Sequence, residues 1–402
     1  MMQGSGLKAD FIHQMSGIFG DEECDALCLA LQSEPLTCIR LNERKYSFGI
    51  PEDWKRIPWC RDGYYLPNRP SFTMDPLFHA GAYYVQEASS MYLSHILRKY
   101  VNIPICALDL CAAPGGKSTL LSSELPAGSV LVSNDINHKR ANILQENMSK
   151  WHPDAVEVVV TNNSPADFGR LGTEVFDFLL CDVPCSGEGM FRKDEKARDE
   201  WSLANVDHCW RRQREIVRDI WPLLKPGGLM VYSTCTFNLM ENEANVKWIV
   251  EELGAEILDS EPLPEWNIVG NLMDGENFPC CHFFPHKVCG EGFFCAVLRK
   301  GVQEFKDAEG SRDSRKIPHH QLSKLRVIPL AYQDNGDDVF QCDVSYDIAL
   351  RYLHGEAITL PADTPRGMVV ITYKNLPLGM AKNIGSRANN LYPKEWRIRK
   401  KY

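Results

Sequence analysis

Several familiar signals are missing from this 402-residue chain. It has no uncharged apolar run of about 18 residues, the length that crosses a bilayer as a helix, so no membrane partner is expected. The opening MMQGSGLKADFIHQ lacks the apolar core of a secretory leader, which makes the cytoplasm the expected compartment. Internal repeats and low-complexity tracts are absent. Positive charge is in deficit: 44 Lys and Arg face 53 Asp and Glu, a formal net charge of −9. That total counts against a nucleic-acid partner, but distribution matters more. Lys382 to Tyr402 carries seven Lys or Arg and one Glu, a basic end on an acidic chain.

What is present is ample material for a core. The chain is 44% hydrophobic, and its length suggests two or three domains. Fifteen cysteines are many, but disulfide scaffolds are short and loop-rich. Most of these cysteines, such as Cys106 and Cys181, lie in apolar runs and read as reduced core residues.

Residues 1–80 mix a short helical pattern, EECDALCLALQS, with Pro- and Trp-rich loops, and read as an N-terminal extension. VQEASSMYLSHILRKY, 85–100, reads as an amphipathic helix. From 105 the pattern becomes strand, turn, helix, repeated: ICALDL, SVLVSND, VEVVVTN, FDFLLCD and GGLMVYST are strands, with helical segments between them. GFFCAVLRK is a last strand ending at 300. Alternating strands and helices over 81–300 predict an α/β domain with a largely parallel sheet. Residues 301–318 are polar and aperiodic and read as a linker. Residues 319–402 carry short β-like runs and read as a small second domain.

LDLCAAPGGKST, 108–119, is the first chemical candidate. A P-loop needs Gly at its opening position, where Cys111 stands, and the G-x-G-x-x-G fingerprint is absent. What remains is a strand, a tight turn of small residues and a helix N-terminus, which brings backbone amides close to a ligand. Asp135 ends the next strand, placed to accept from ribose hydroxyls. A nucleoside-containing cofactor follows, and without P-loop chemistry S-adenosylmethionine suits the turn better than ATP.

Two thiols stand at strand ends. Cys185 follows Asp182 and Pro184 in DVPCSG, and Cys235 follows a strand in VYSTCT. In a parallel sheet both ends share an edge with the Gly-rich turn, although 50 residues separate the thiols. A buried structural thiol is the alternative for either alone. Thiols suit methyl transfer to a pyrimidine. Addition of a thiolate to carbon 6 gives carbon 5 the enamine character it needs to attack a methyl donor, and a base then removes the carbon 5 proton. A carboxyl group near ring nitrogen 3 stabilises the charge that builds.

LDLCAAPGGK, DVPCSGEGMFRKD and YSTCT resemble the three signature motifs of the Sun-type RNA cytosine-5 methyltransferases. YYVQEASSM (83–91) and FFPHKVCGEGFFCAVLRK (283–300) are similar to the family's flanking segments. The run RYLHGEAITL…GMVVITYKNLPLGMAKNIGSRANNLYPKEWR resembles the PUA-like domain of the RsmF-type branch, which modifies 16S ribosomal RNA. The resemblance implies a Rossmann-like class I methyltransferase fold at 81–300, an RNA-binding N-terminal extension, and a PUA-like RNA-binding domain at 319–402. It implies Cys235 as nucleophile, Cys185 as the residue that releases product, acting as base, and Asp182 against the base edge near the cofactor methyl. It implies that Cys111, Ala112, Ala113, Pro114, Gly115, Gly116, Lys117 and Asp135 hold S-adenosylmethionine, with Arg140 a further candidate. The family carries an acid after the third strand near the adenine. Ser164 stands there in this chain, so Asn163, Ser164 or Asp167 would take that contact. The implied partner is ribosomal RNA or the small ribosomal subunit, bound by a monomer.

CCHFFPHKVC offers Cys280, Cys281, His282, His286 and Cys289, but adjacent cysteines ligate poorly, and no metal is expected. Arg192, Lys193, Arg211, Arg212 and Arg214 read as a solvated face or as phosphate contacts. The tail KEWRIRKKY, with Trp396 and Tyr402, reads as a soluble end or as an RNA grip.

Overall fold

A computed structural model describes residues 6–151, 154–302, 319–331 and 339–399. Its centre is a sheet whose parallel strands are β1 (Cys106–Asp109), β2 (Val130–Asn134), β3 (Glu157–Thr161), β4 (Phe176–Asp182) and β5 (Leu224–Thr234). β6 (Ala255–Leu258), β7 (Cys281–Phe283), β8 (Phe293–Lys300) and β9 (Val327–Ile328) join antiparallel. The order is β6-β8-β5-β4-β1-β2-β3-β9, with β7 beside β8.

Two-residue alternation sorts the strand side chains between two cores. Cys106, Leu108, Val130, Val132, Leu179 and Cys181 face one side, where Ile216, Val217 and Ile220 of α3 (Leu203–Ile220) and Val246 and Ile249 of α4 (Glu243–Leu253) cover them. Ala107, Leu131, Phe178 and Leu180 face the other, under Leu120 and Leu121 of α1 (Gly116–Glu124) and a helix at Leu93–Tyr100. Both faces are buried, which is why these strands read as continuous apolar runs. α2 (His138–Trp151) connects β2 to β3. From β1 the chain moves outward to β2 and β3, then returns to β4 on β1's other side. The loops after β1 and β4 diverge there and open a crevice.

The N-terminal part begins with helices Ala9–Phe19 and Asp21–Ala30, whose Phe11, Met15 and Leu27 pack on Phe191, Trp201 and Phe237. A four-stranded antiparallel sheet follows, ordered Lys55–Arg56, Gly63–Tyr65, Cys38–Leu41, Tyr83–Val85. Its last strand, Tyr83–Val85, lies beyond residue 80, the expected end of the N-terminal extension. The helix expected over 85–100 starts only at Leu93. Before it, Glu87 accepts from the Ser89 and Ser90 amides at 2.6 and 2.8 Å and holds a tight turn instead.

The C-terminal part pairs Gln341–Asp343, Gly367–Tyr373, Leu376–Asn383 and Ala388–Asn390 beside a helix, Tyr346–Leu353. Its core of Tyr352, Ile371, Leu378 and Tyr392 reaches Ala80, and Tyr346 donates to the Met74 carbonyl at 3.0 Å. The expected linker falls almost wholly on residues 303–318, outside those described, as does Tyr402. The architecture is the Rossmann-like α/β domain expected, with an N-terminal extension and a small C-terminal β domain. No helix among the described residues is long and apolar enough to cross a membrane.

Candidate active site

β4 ends at Asp182 and β5 at Thr234, and their pairing brings the loops beyond them together. Cys185 Sγ and Cys235 Sγ lie 3.1 Å apart, and the Cys235 amide donates to Cys185 Sγ at 3.4 Å. Both thiols are half-buried, and every described cysteine is free. The contact with Cys235, reinforced by burial, pushes the Cys185 thiol well above its ordinary range. A raised value makes its sulfur a poor resting nucleophile and a stronger base once ionised.

The two loops are bolted together by carboxylates that sequence reasoning missed. Glu188 is fully buried and accepts from the amides of Phe237 and Asn238, the Asn238 side chain and the Trp201 indole, at 2.6, 3.0, 2.9 and 3.0 Å. Glu241 is also buried and accepts from the Ser186 amide, Gln213 and Asn238 at 3.0, 2.7 and 2.9 Å. Burial, then Glu188, raises the Glu241 carboxyl to about 7. Gly189 donates to the Cys235 carbonyl at 2.7 Å, and a Cβ on it would meet the carbonyls of Cys235 and Gly292 at 2.7 Å each. In sequence, GEG after the thiol motif and NLMEN after the second thiol look like ordinary polar loops. Their shared signal is one acid and one amide, Glu188 and Asn238, each three residues past its thiol.

Asp182 is oriented from both sides. Lys117 Nζ donates to its Oδ2 and Ser233 Oγ to its Oδ1, each at 2.8 Å. Burial pulls the Lys117 ammonium down, but Asp182 outweighs it and the net shift is upward. A cavity of about 180 Å³ lies beside this pair. Cys111, Ala112, Ala113, Pro114, Gly116 and Lys117 line it, opposite Tyr84, Gln86 and Glu87. Gly115 sits at φ 116°, the left-handed region that favours glycine, and caps α1. Asp109 Oδ2 accepts from Ser118 at 2.7 Å, whereas its buried Oδ1 has no partner among the described residues.

Asp135 is buried at the end of β2, 3.4 Å from Arg140, whose guanidinium also donates to the Ala113 carbonyl at 2.5 Å. Arg140 thus ties the Gly-rich turn to the next strand. Asn163 and Ser164 lie farther along the same edge and do not line the cavity. Asn163 uses its side chain on the Arg326 backbone, donating at 3.2 Å and accepting at 3.0 Å. Ser164 and Asp167 cap the turn Pro165–Leu171 reciprocally.

Arg192 and Lys193 pair with Glu291 at 2.9 and 3.3 Å. Arg211 and Arg212 pair with Asp207 and Glu215, in mid-helix rather than at the start of α3. Arg214 donates to Asn245 and packs over Trp210 and Trp248. Of the Cys/His run, Cys280 and His282 meet Glu243, with His282 Nε2 2.7 Å from the carboxylate. Cys281 turns toward Ser260 and His286 toward Glu23.

Three family models match in tandem. Residues 7–88 match the N-terminal domain of 16S rRNA methyltransferase RsmF, 103–299 match 16S rRNA methyltransferase RsmB/F, and 340–398 match the methyltransferase RsmF PUA domain. Ribosomal RNA small subunit methyltransferase F of Pectobacterium atrosepticum is 32% identical over 352 residues, covering 82% of this chain and 68% of that protein. The protein of that name in Escherichia coli K12 is 29% identical, covering 91% of each. Among solved structures, a methyltransferase homologue from Pyrococcus horikoshii superposes with a TM-score of 0.60 and 26% identity, over 74% of this chain and 100% of that one. NSun6 from Pyrococcus horikoshii with SFG has the same score and coverage at 20% identity, a likeness of fold.

Proposed function

This chain belongs to the RsmB/F family of 16S rRNA methyltransferases, and from that premise we propose that it methylates carbon 5 of a cytosine in 16S rRNA through a Cys235–carbon 6 adduct. It is an RNA methyltransferase, and S-adenosylmethionine is its cofactor. The residues present fit that cofactor. A Cβ on Gly116 would stand 3.3 Å from Tyr84 across the cavity, and the unpartnered Asp109 Oδ1 awaits a donor. The turn Cys111–Lys117 and Asp135 would hold it, with Arg140 bracing both; when bound, it supplies the methyl group.

The observation that carries this reading is the pair of thiols 3.1 Å apart, on loops leaving the paired strands β4 and β5, with Asp182 at the end of β4 lining the cavity. Cys235 Sγ would bond to carbon 6, the role that its Thr-Cys motif's resemblance to the Sun-type family implies for it. Asp182, oriented by Lys117 and Ser233, would meet the base at its nitrogen 3 edge. With Cys235 bonded to carbon 6, the contact that keeps Cys185 protonated is gone. After carbon 5 has gained its methyl group, Cys185, its own proton given up to water, would take the carbon 5 proton, the ring would regain its double bond, and the Cys235–carbon 6 bond would break to return the Cys235 thiolate. The target base must leave its stack, because carbons 5 and 6 are both addressed.

Two variants test the division of labour. Cys235→Ala should lower methyl transfer at least about a thousandfold. Cys185→Ala should leave the first bond formed and trap an enzyme–RNA adduct, seen as a slow band on a denaturing gel. An active Cys235→Ala protein sinks the assignment. Bisulfite mapping of cells with and without the gene identifies the base.

A further inference from the structure

A second cavity, of about 580 Å³, opens between the N-terminal sheet and the segment around Trp266. Nothing in the reaction above uses it. Three aromatics, the buried Trp59 and the more open Tyr65 and Trp266, line it beside Pro58, Leu66 and Val288. Trp59 is locked, donating its indole N–H to the Ala88 carbonyl at 2.7 Å. Trp266 is half-buried, held edge-on by Trp59 and His95 at 6.0 and 5.1 Å. Lys55, Arg56 and Lys287 stand at the mouth. Lys287 is paired with Glu23 at 2.8 Å. Among the described residues, Lys55 and Arg56 have no carboxylate partner; Arg56 donates to the Tyr64 hydroxyl at 3.1 Å. Asp53 and Glu265 share the rim.

We propose that this groove is a nucleobase subsite, which takes an unpaired base of the RNA flanking the target cytosine. The inference rests on the RNA reading above. Aromatic walls offer a stacking surface that any base can use, and unpaired cations suit its phosphates. The two acids break the positive track. The groove therefore suits one base, whose amino groups they can accept from, with one or two flanking phosphates at Lys55 and Arg56. Its position fits a neighbour of the target nucleotide. Tyr65 donates to the Cys289 carbonyl at 2.7 Å, Arg192 donates to the Gly290 carbonyl at 2.7 Å, and the Glu291 amide donates to Glu87 at 2.8 Å. Arg192 lies just past the Cys185 loop and Glu87 lines the cofactor cavity, so a three-residue span joins groove to catalytic centre.

The test is fluorescence anisotropy of the full-length protein with a single-stranded RNA of about ten nucleotides containing one cytosine. Trp266→Ala should weaken binding about tenfold, the lower end for loss of one stacked base. Lys55→Gln with Arg56→Gln, exposed changes that spare the core, should cut the slope of log affinity against log salt by about 1.4, two phosphates' worth on a single strand. Both proteins should keep S-adenosylmethionine affinity, and raise KM for RNA more than they lower kcat. Unchanged RNA affinity and salt slope in the Lys55/Arg56 variant overturns the subsite. So does unchanged RNA affinity with lost methylation of assembled subunits, which would make the occupant a protein. The adduct in Cys185→Ala is independent of these outcomes. A missing adduct with an intact groove effect sinks the catalytic reading and leaves the subsite standing.

Discussion

On the β4–β5 side of the crevice, buried side chains hold backbone in place for the thiols; on the β2–β3 side, polar side chains that face the ligand edge are spent on neighbouring structure. Glu188 and Glu241 receive seven hydrogen bonds between them, and all run to the loops or helices around Cys185 and Cys235. Asn163 and Ser164, by contrast, secure the segment at Arg326 and the turn at Pro165. The difference teaches where rigidity is placed. In the proposed reaction two sulfurs meet one flat ring from loops 50 residues apart, and a misplacement of about 1 Å can cost a hundredfold in rate. A nucleoside bound along a strand edge tolerates looser support.

Breaking the thiol side should have the larger effect. Glu188→Ala strands four buried donors and should cost about 4 kcal/mol, read by chemical denaturation, with kcat falling at least about a hundredfold. A variant that keeps both stability and kcat removes the brace from the account. Next comes Asn163→Ala. It loses two hydrogen bonds to Arg326 and should lower Tm by about 2 °C, with cofactor affinity changed less than about threefold. A tenfold loss of affinity would instead put Asn163 on the adenine and dissolve the contrast.

An effect of similar size, visible only as a pH dependence, is expected at Asp109. Burial raises its carboxyl to about 7, so the folded protein holds that proton more tightly than the unfolded chain. The stability it contributes is whole below about pH 4 and is lost as pH rises through about 7. Asp109→Asn keeps the acceptor for Ser118 and removes the titration. Between about pH 5 and pH 8 the drop in Tm should shrink by about 3 °C relative to the parent. An identical drop in both proteins assigns the pH dependence elsewhere, with Glu241 the next group to change.

The sheet was legible because its signals are local. FDFLLCD is a strand at Phe176–Asp182 as written, and the turn at Gly115 needs the residue it has. Local signals also misled. The 85–100 segment has helical periodicity, but Glu87 folds back on Ser89 and Ser90, so Ser89–Tyr92 coils as a tighter 3-10 turn and the α-helix is confined to Leu93–Tyr100. Arg192 reads in sequence as a solvated face or a phosphate contact, whereas its side chain is buried against Glu291, 99 residues away.

Residue types and spacing alone determined the parallel sheet, the Gly-rich turn, and the presence of two thiols at adjacent strand ends. Strand register follows from which side chains can be buried, and that is written in sequence. Tertiary structure decided that the thiols touch, that Lys117 reaches Asp182, and that two acids in polar-looking loops are the bolts between them. A carboxylate can be buried only where donors converge on it, and here four of the seven donors come from segments about 50 residues away. No local pattern encodes that convergence; the pairing of β4 with β5 creates it.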